Sequence, residues 1–184
     1  LVAAEVDGAI ELAQHQFNSA DNMTDQQAAL TILVHSSDKS AAADALASFR
    51  SQWQDEALVI NNWLAIQAGD PTEGALDRVK ALESDPLFDA KNPNKLRSLV
   101  GAFAGANPIQ FHAMDGSGYR YLADWIITLN TQNPQIAARM LAPLTRWKRY
   151  PESRQVMMRA ELERIMAVET LSPDVYEVVS KSLV

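Results

Sequence analysis

An all-α fold is the expectation set by this 184-residue sequence, and three features carry it. Apolar residues return every three or four positions along most of the chain, which places them on one face of a helix. No stretch alternates apolar and polar residues between turn-forming residues, as a half-buried strand would. Residues that start or stop helices interrupt the pattern at intervals of about 10–18 positions, ordinary helix lengths.

The elements follow in order. Val6, Ile10, Ala13 and Phe17 mark a first helix. Thr24 followed by Gln27 reads as a capping box that opens a second, with Leu30, Leu33 and Val34 on one face. Ala42, Leu46, Phe49 and Trp53 mark a third. Val59, Trp63 and Ile66 mark a fourth, ending near Gly69. Pro71 sits at the start of a fifth, with Ala75, Val79 and Leu82 inward. Leu96, Leu99, Val100 and Phe103 form the sixth; Leu122, Trp125, Ile126 and Leu129 form the seventh. Pro134 opens the eighth, which buries Ile136, Met140, Leu144 and Trp147. Pro143 lies inside it and cannot donate to the Arg139 carbonyl, so a bend is expected there. Pro151 opens the ninth, with Met158, Leu162 and Ile165 inward. Ser172-Pro173 caps the tenth, with Val175, Val178 and Val179.

Helices of this length with short links form antiparallel pairs, and such pairs stack as a HEAT/armadillo-like superhelix. The whole chain, 1–184, reads as a single helical domain, with SDPLFDAKNP (residues 84–93) the nearest thing to an internal boundary. The longest irregular segment is ANPIQFHAMDGS, residues 106–117. Asn107-Pro108 and Asp115-Gly116 are turn dipeptides, and Ile109, Phe111 and Met114 between them predict a packed loop, either a connector pinned by its own side chains or a segment that touches a partner domain or lines a pocket.

Composition narrows the function classes. The chain is 47% apolar and 21% charged, as globular proteins are. No apolar run approaches the roughly 20 residues that cross a bilayer, so no membrane partner is expected. The opening LVAAEVDGAIEL has no basic leader segment and no Met, and Leu1-Val2-Ala3-Ala4 starts abruptly; it reads as the middle of an amphipathic helix and the chain as a piece of a longer protein. There are no cysteines, which excludes disulfides, thiolate zinc sites and cysteine nucleophiles and fits a cytoplasmic location. His15, His35 and His112 share no H-E-x-x-H frame. GAFAG and DGSG match neither phosphate-loop nor dinucleotide patterns, and no G-x-S-x-G occurs. Asp55-Glu56 and Glu161/Glu163 read as solvated helix faces. The chain itself therefore presents no catalytic residues, no metal ligands and no cofactor site.

Charge is uneven. Residues 1–90 hold 15 acids and 4 bases, whereas residues 91–160 hold 3 acids and 10 bases, in a chain of net charge −7. The run Arg146-Trp147-Lys148-Arg149-Tyr150 places cations where a helix C-terminus favours them. With a sequence pI near 4.9, no nucleic-acid partner is expected. On the eighth helix, Gln135, Arg139 and Arg146 fall on the side opposite Ile136, Met140, Leu144 and Trp147. Such a Gln–Arg stripe can hydrogen-bond a carboxylate or peptide, or be an ordinary wetted face; the pattern alone leaves both open. Arg97 stands beside the small residues Gly101 and Ala104, either an exposed arginine or a face that another element or ligand can approach.

NPNKLRSLVGAFAGANPIQFHAMDGSGYRYL (92–122), NPQIAARMLAPLTRWKRY (133–150), RQVMMRAELERI (154–165) and the closing LSPDVYEVVSKSLV resemble the C-terminal helical domain of the bacterial aminopeptidase N family, M1 zinc metallopeptidases. Weaker similarity runs upstream through NMTDQQAAL and DEALVINNWLAIQA. The resemblance implies a superhelical cap over the catalytic domain of the same polypeptide, with peptides as substrates. It places the zinc and the catalytic glutamate in that other domain. It implies that Gln135 reaches into the pocket for the substrate's first side chain, and that Arg139 and Arg97 face the cavity holding the rest of the peptide. A free-standing helical scaffold for a protein partner is the alternative; a polar capping helix at the start would mark it.

Overall fold

The computed structural model describes residues 7–184. Val6 of the first helix and the abrupt Leu1–Ala4 start lie outside the described residues. Among the described residues all regular structure is helical. The chain groups into two compact units, Leu1–Phe103 and Ala104–Val184.

The first unit holds α1 (Ala9–Ser19), α2 (Met23–Val34), α3 (Lys39–Trp53), α4 (Ala57–Ala68), α5 (Ala75–Leu82) and α6 (Pro93–Leu96). α2 packs against α1 and α3, and α4 against α3 and α5. Phe17, Leu30, Leu33, Phe49, Ile60 and Leu64 are among the residues that fill this core. On α4 the buried set is Ile60, Trp63, Leu64 and Ala68; the expected Val59 and Ile66 are half-buried.

Two helix starts differ from expectation. α2 is capped by Asn22, not Thr24: its Oδ1 accepts from the Asp25 amide at 2.9 Å while its Nδ2 donates to the Asp25 carboxylate at 2.9 Å. The N-cap thus sits two residues upstream, because Asn22 holds the extended backbone that a cap requires. Helix α5 begins at Ala75, not at Pro71. Asp70 accepts from the Thr72 amide (3.0 Å) and hydroxyl (2.8 Å), which folds the segment back before Gly74 turns into the helix with φ +75°.

Asp70 is 2% exposed and also receives Lys39 at 2.9 Å and Arg78 at 2.6 Å. Burial pushes its carboxyl up, but the hydrogen bonds from Lys39 and Thr72, with the Lys39 charge, outweigh that and hold it below 3.8. The segment 84–93 is likewise tied to this unit. Arg50 grips Asp85 with two nitrogens, at 2.8 and 3.2 Å, and Lys95 donates to the Leu87 carbonyl. The division between the units accordingly falls later, inside α7 (Ala102–Ala106).

Between α6 and α7, residues Arg97–Gly101 form a π turn, in which the Ala102 amide donates to the Arg97 carbonyl. Leu96, Leu99, Val100 and Phe103 are all fully buried, as their spacing predicts.

The second unit holds α8 (Pro108–Phe111), α9 (Ser117–Gln132), α10 (Pro134–Met140), α11 (Ala142–Thr145), a 3-10 turn at Trp147–Arg149, α12 (Glu152–Met166) and α13 (Pro173–Leu183). α9 packs against α10 and α12, and α13 packs against both of those. The expected eighth helix is broken. α10 ends at Met140, and the Leu141 carbonyl accepts from both Leu144 (2.9 Å) and Thr145 (3.1 Å) as Pro143 starts a new turn. Trp147 is core, 8% exposed, and donates to the Ser182 carbonyl at 3.1 Å. Ile136 is half-buried while Ala137 takes the fully buried place.

The 106–117 segment contains α8, and only one of its three apolar residues packs inward. Phe111 is fully buried, whereas Ile109 and Met114 are 63% and 62% exposed. The α8 backbone lies directly on α9 at Gly118, where an added Cβ would sit 2.4 Å from the Phe111 carbonyl oxygen and 2.8 Å from its Cα. Backbone cannot yield as a flexible side chain can, so glycine is required by space. At the other end of α9, buried Asn130 donates to the Thr170 carbonyl (2.9 Å) and accepts from the Ser172 amide (2.8 Å), fixing the entry to α13.

Gly118→Ala is expected to lower stability by about 1–3 kcal/mol, the cost of overpacking. Gly101→Ala, whose Cβ meets nothing nearer than the Arg97 Cβ at 3.6 Å, should be neutral or stabilising by up to about 1 kcal/mol. Urea unfolding of both checks this; equal effects would contradict the steric argument. Because the Asp70 pKa is depressed in the fold, its contribution is complete above its unfolded value of 3.8 and disappears as pH falls through the lower folded value. Asp70→Asn should therefore cost stability at pH 7, about 1–2 kcal/mol since Lys39 and Arg78 stay partly solvated. That cost should shrink on acidification, as unfolding curves at neutral and acid pH would show.

Candidate substrate-facing site

Asn133 caps α10 by accepting from the Ile136 amide at 3.2 Å, and Pro134 supplies the first helical position. That start directs Ala137 and Met140 into the core and leaves Gln135 and Arg139 exposed. Four residues apart, these two are neighbours on one helix face. Among the described residues neither side chain is engaged in a hydrogen bond or ion pair, so an amide and a guanidinium stand side by side with their donors available to a ligand. Arg146, the third member of the predicted stripe, is exposed but lies beyond the break after Met140.

Arg97 belongs to the first unit, Gln135 and Arg139 to the second. Arg97 opens the π turn. Its Nε donates to the Pro93 carbonyl at 3.2 Å and its Nη2 to Asn94 Oδ1 at 2.6 Å. The side chain is exposed and braced along its own helix, beside Gly101.

A second cluster escaped sequence reasoning. His112, just after α8, places Nδ1 2.8 Å from the hydroxyl of Tyr119, which is fully buried on α9. Its ring lies 4.4 Å from that of Tyr150 and edge-on to Phe111. Arg154 of α12 donates Nε and Nη2 to the His112 carbonyl, both at 3.3 Å. Burial, then the Arg154 charge, pushes the His112 ring below its ordinary 6.5, so it is neutral at pH 7. Burial likewise lifts the Tyr119 phenol above 10.0. No sequence signal marks this group: its members come from α8, α9, the 3-10 turn and α12, with no shared spacing.

His112, Tyr150 and Arg146 supply the polar lining of a hollow of about 350 Å³ within this unit. Its remaining walls are small or rigid: Ala104, Gly105, Pro108, Ala142 and Pro143.

Among the described residues no three His, Asp or Glu side chains are grouped to hold a metal ion. These residues do not fit a zinc site, and no step through a metal is assigned to them. No helix among the described residues is long and apolar enough to cross a membrane.

The chain is 44% identical over 173 residues to aminopeptidase N of Haemophilus influenzae, and equally to that of Escherichia coli, covering 94% of this chain and 20% of each relative. The crystal structure of Legionella pneumophila aminopeptidase A in complex with aspartic acid matches with a TM-score of 0.92 at 34% identity, over 100% of this chain and 21% of that one. The chain thus spans about a fifth of the length of the relatives it matches, corresponding to their C-terminal helical portion. A family model described as a domain of unknown function with ARM repeats, DUF3458_C, matches residues 1–184, in keeping with the all-α, armadillo-like expectation. On that full-length match, the chain belongs to the DUF3458_C family of ARM-repeat domains.

Proposed function

We propose that this chain is the C-terminal domain of a cytoplasmic M1-type zinc aminopeptidase, which removes N-terminal residues from peptides. In this reading it caps the catalytic domain of the same polypeptide and limits access to it. The supporting observation is the 44% identity, over nearly the whole chain, to a fifth of two bacterial aminopeptidases N. The zinc and the groups that act on the scissile bond belong to the catalytic domain.

The residues here contribute recognition. The Gln135 amide can donate to and accept from the first side chain of a substrate. Arg139, its neighbour on α10, offers a guanidinium to the carboxylate of a short peptide. Arg97, braced by Pro93 and Asn94, adds a positioned cation of the same kind. The excess of bases over acids between residues 91 and 160 supplies a field that draws peptide carboxylates toward this surface.

The parent enzyme should contain zinc and hydrolyse an alanyl reporter, whereas the 184-residue chain should do neither; a parent lacking both sinks the reading. In that parent, Gln135→Ala should change relative kcat/KM among alanyl, leucyl and arginyl reporters by about fivefold, the worth of one hydrogen bond of roughly 1 kcal/mol, and leave zinc content alone. An unchanged selectivity profile removes Gln135 from the pocket. Arg139→Ala should weaken short peptides about tenfold more than amide reporters without a C-terminal carboxylate. Equal losses for both substrate types would count against the carboxylate role.

A further inference from the structure

We propose that the hollow beside His112 is a separate binding site for a carboxylate carried on a small apolar body, a free organic acid or the C-terminal residue of a peptide. The proposal concerns residues other than Gln135, Arg139 and Arg97 and does not depend on their assignment.

The argument begins with charge. Arg146 is the one charged side chain in the lining, and no carboxylate opposes it there. It is exposed and, among the described residues, its guanidinium is not engaged in an ion pair or side-chain hydrogen bond. A free guanidinium at the rim of a concavity selects planar anions, which it meets with two parallel N–H donors.

His112 adds a second donor. Its Nδ1 lies 2.8 Å from the buried Tyr119 hydroxyl, and Arg154 secures the His112 carbonyl. With that hydroxyl donating to Nδ1, the ring proton sits on Nε2, which has no hydrogen-bond partner among the described residues. A neutral N–H donor held by a buried phenol on its far side is suited to an acceptor and unsuited to a cation. The imidazole also lies against the Tyr150 ring, with centroids 4.4 Å apart.

The rest of the lining defines the body of the ligand. Ala104, Ala142 and the rings of Pro108 and Pro143 are apolar and stiff, so the hollow keeps its shape without a ligand. A volume of about 350 Å³ accommodates one or two amino-acid residues and lies at the small end of ligand sites. Gly105 leaves the wall open: a Cβ there meets no atom within 4 Å.

The test follows the His112 imidazole signals by NMR in the 184-residue chain during titration with N-acetyl-alanyl-leucine, its C-terminal amide, and N-acetyl-leucine. The acetyl group keeps each probe from being an aminopeptidase substrate. The expected result is a saturable shift of the His112 signals with the acids and about tenfold weaker binding of the amide. Arg146→Gln should abolish the preference for acid over amide, and Arg146→Lys should retain part of it. Gly105→Leu, which fills open space, should weaken all three probes while the other histidine signals stay in place. If N-acetyl-leucine binds as tightly as the dipeptide, the site is supported and its ligand is the single acid; if the dipeptide binds more tightly, the site is supported and its ligand is a peptide terminus. Equal binding of acid and amide, an acid preference that survives Arg146→Gln, or His112 signals that do not respond would overturn the proposal.

Discussion

Short helices leave much of their backbone unpaired, and this structure depends on how those ends are closed. Each helix exposes about four amide donors at its start. Here polar side chains meet them at Asn22, Asp38, Asn92, Asn107, Asn133 and Ser172, each accepting from an amide two or three residues on. Helices of 11–16 residues pack their apolar faces, but turns as short as Pro108–Phe111 have too few residues to bury much apolar surface. Their persistence rests on the cap at one end and a single buried anchor, Phe111, at the other.

The same economy shapes the connections. Asp70 and Asn130 are both nearly inaccessible, and each hydrogen-bonds groups from distant parts of the chain. A buried carboxylate is tolerable only when its lone pairs are occupied. Asp70 satisfies this with two cations and a threonine, and thereby holds the start of α3 and the start of α5 to one point. On α10 and just beyond it the logic reverses. Gln135, Arg139 and Arg146 remain uncommitted, in a stretch where bases far outnumber acids.

Much of this was legible in the sequence. Helical periodicity found the inward faces of α1, α3, α5, α9, α12 and α13, because an apolar stripe is a local property of the chain. The pairing of Gln135 with Arg139 was legible for the same reason: four residues is one turn. What failed was decided elsewhere. Thr24 and Asn22 are both competent caps, and only backbone conformation chooses between them. Ile109 and Met114 look like core by composition, yet Phe111 alone reaches it, since α8 presses its backbone onto Gly118 and has one inward face. The π turn at Arg97 has no compositional sign. The His112, Tyr119, Tyr150 and Arg154 group is tertiary in origin, assembled from four elements.

That group has a consequence for how this surface responds to its surroundings. A histidine beside an exposed arginine would ordinarily gain or lose charge under mildly acidic conditions, and a concavity lined by both would change its attraction for anions accordingly. With its ring pressed into aromatic neighbours and a guanidinium fixed on its carbonyl, His112 resists taking up that proton. The hollow's attraction for anions therefore rests on Arg146 more than on His112, and mild acidification changes it less than it would a hollow lined by a solvated histidine.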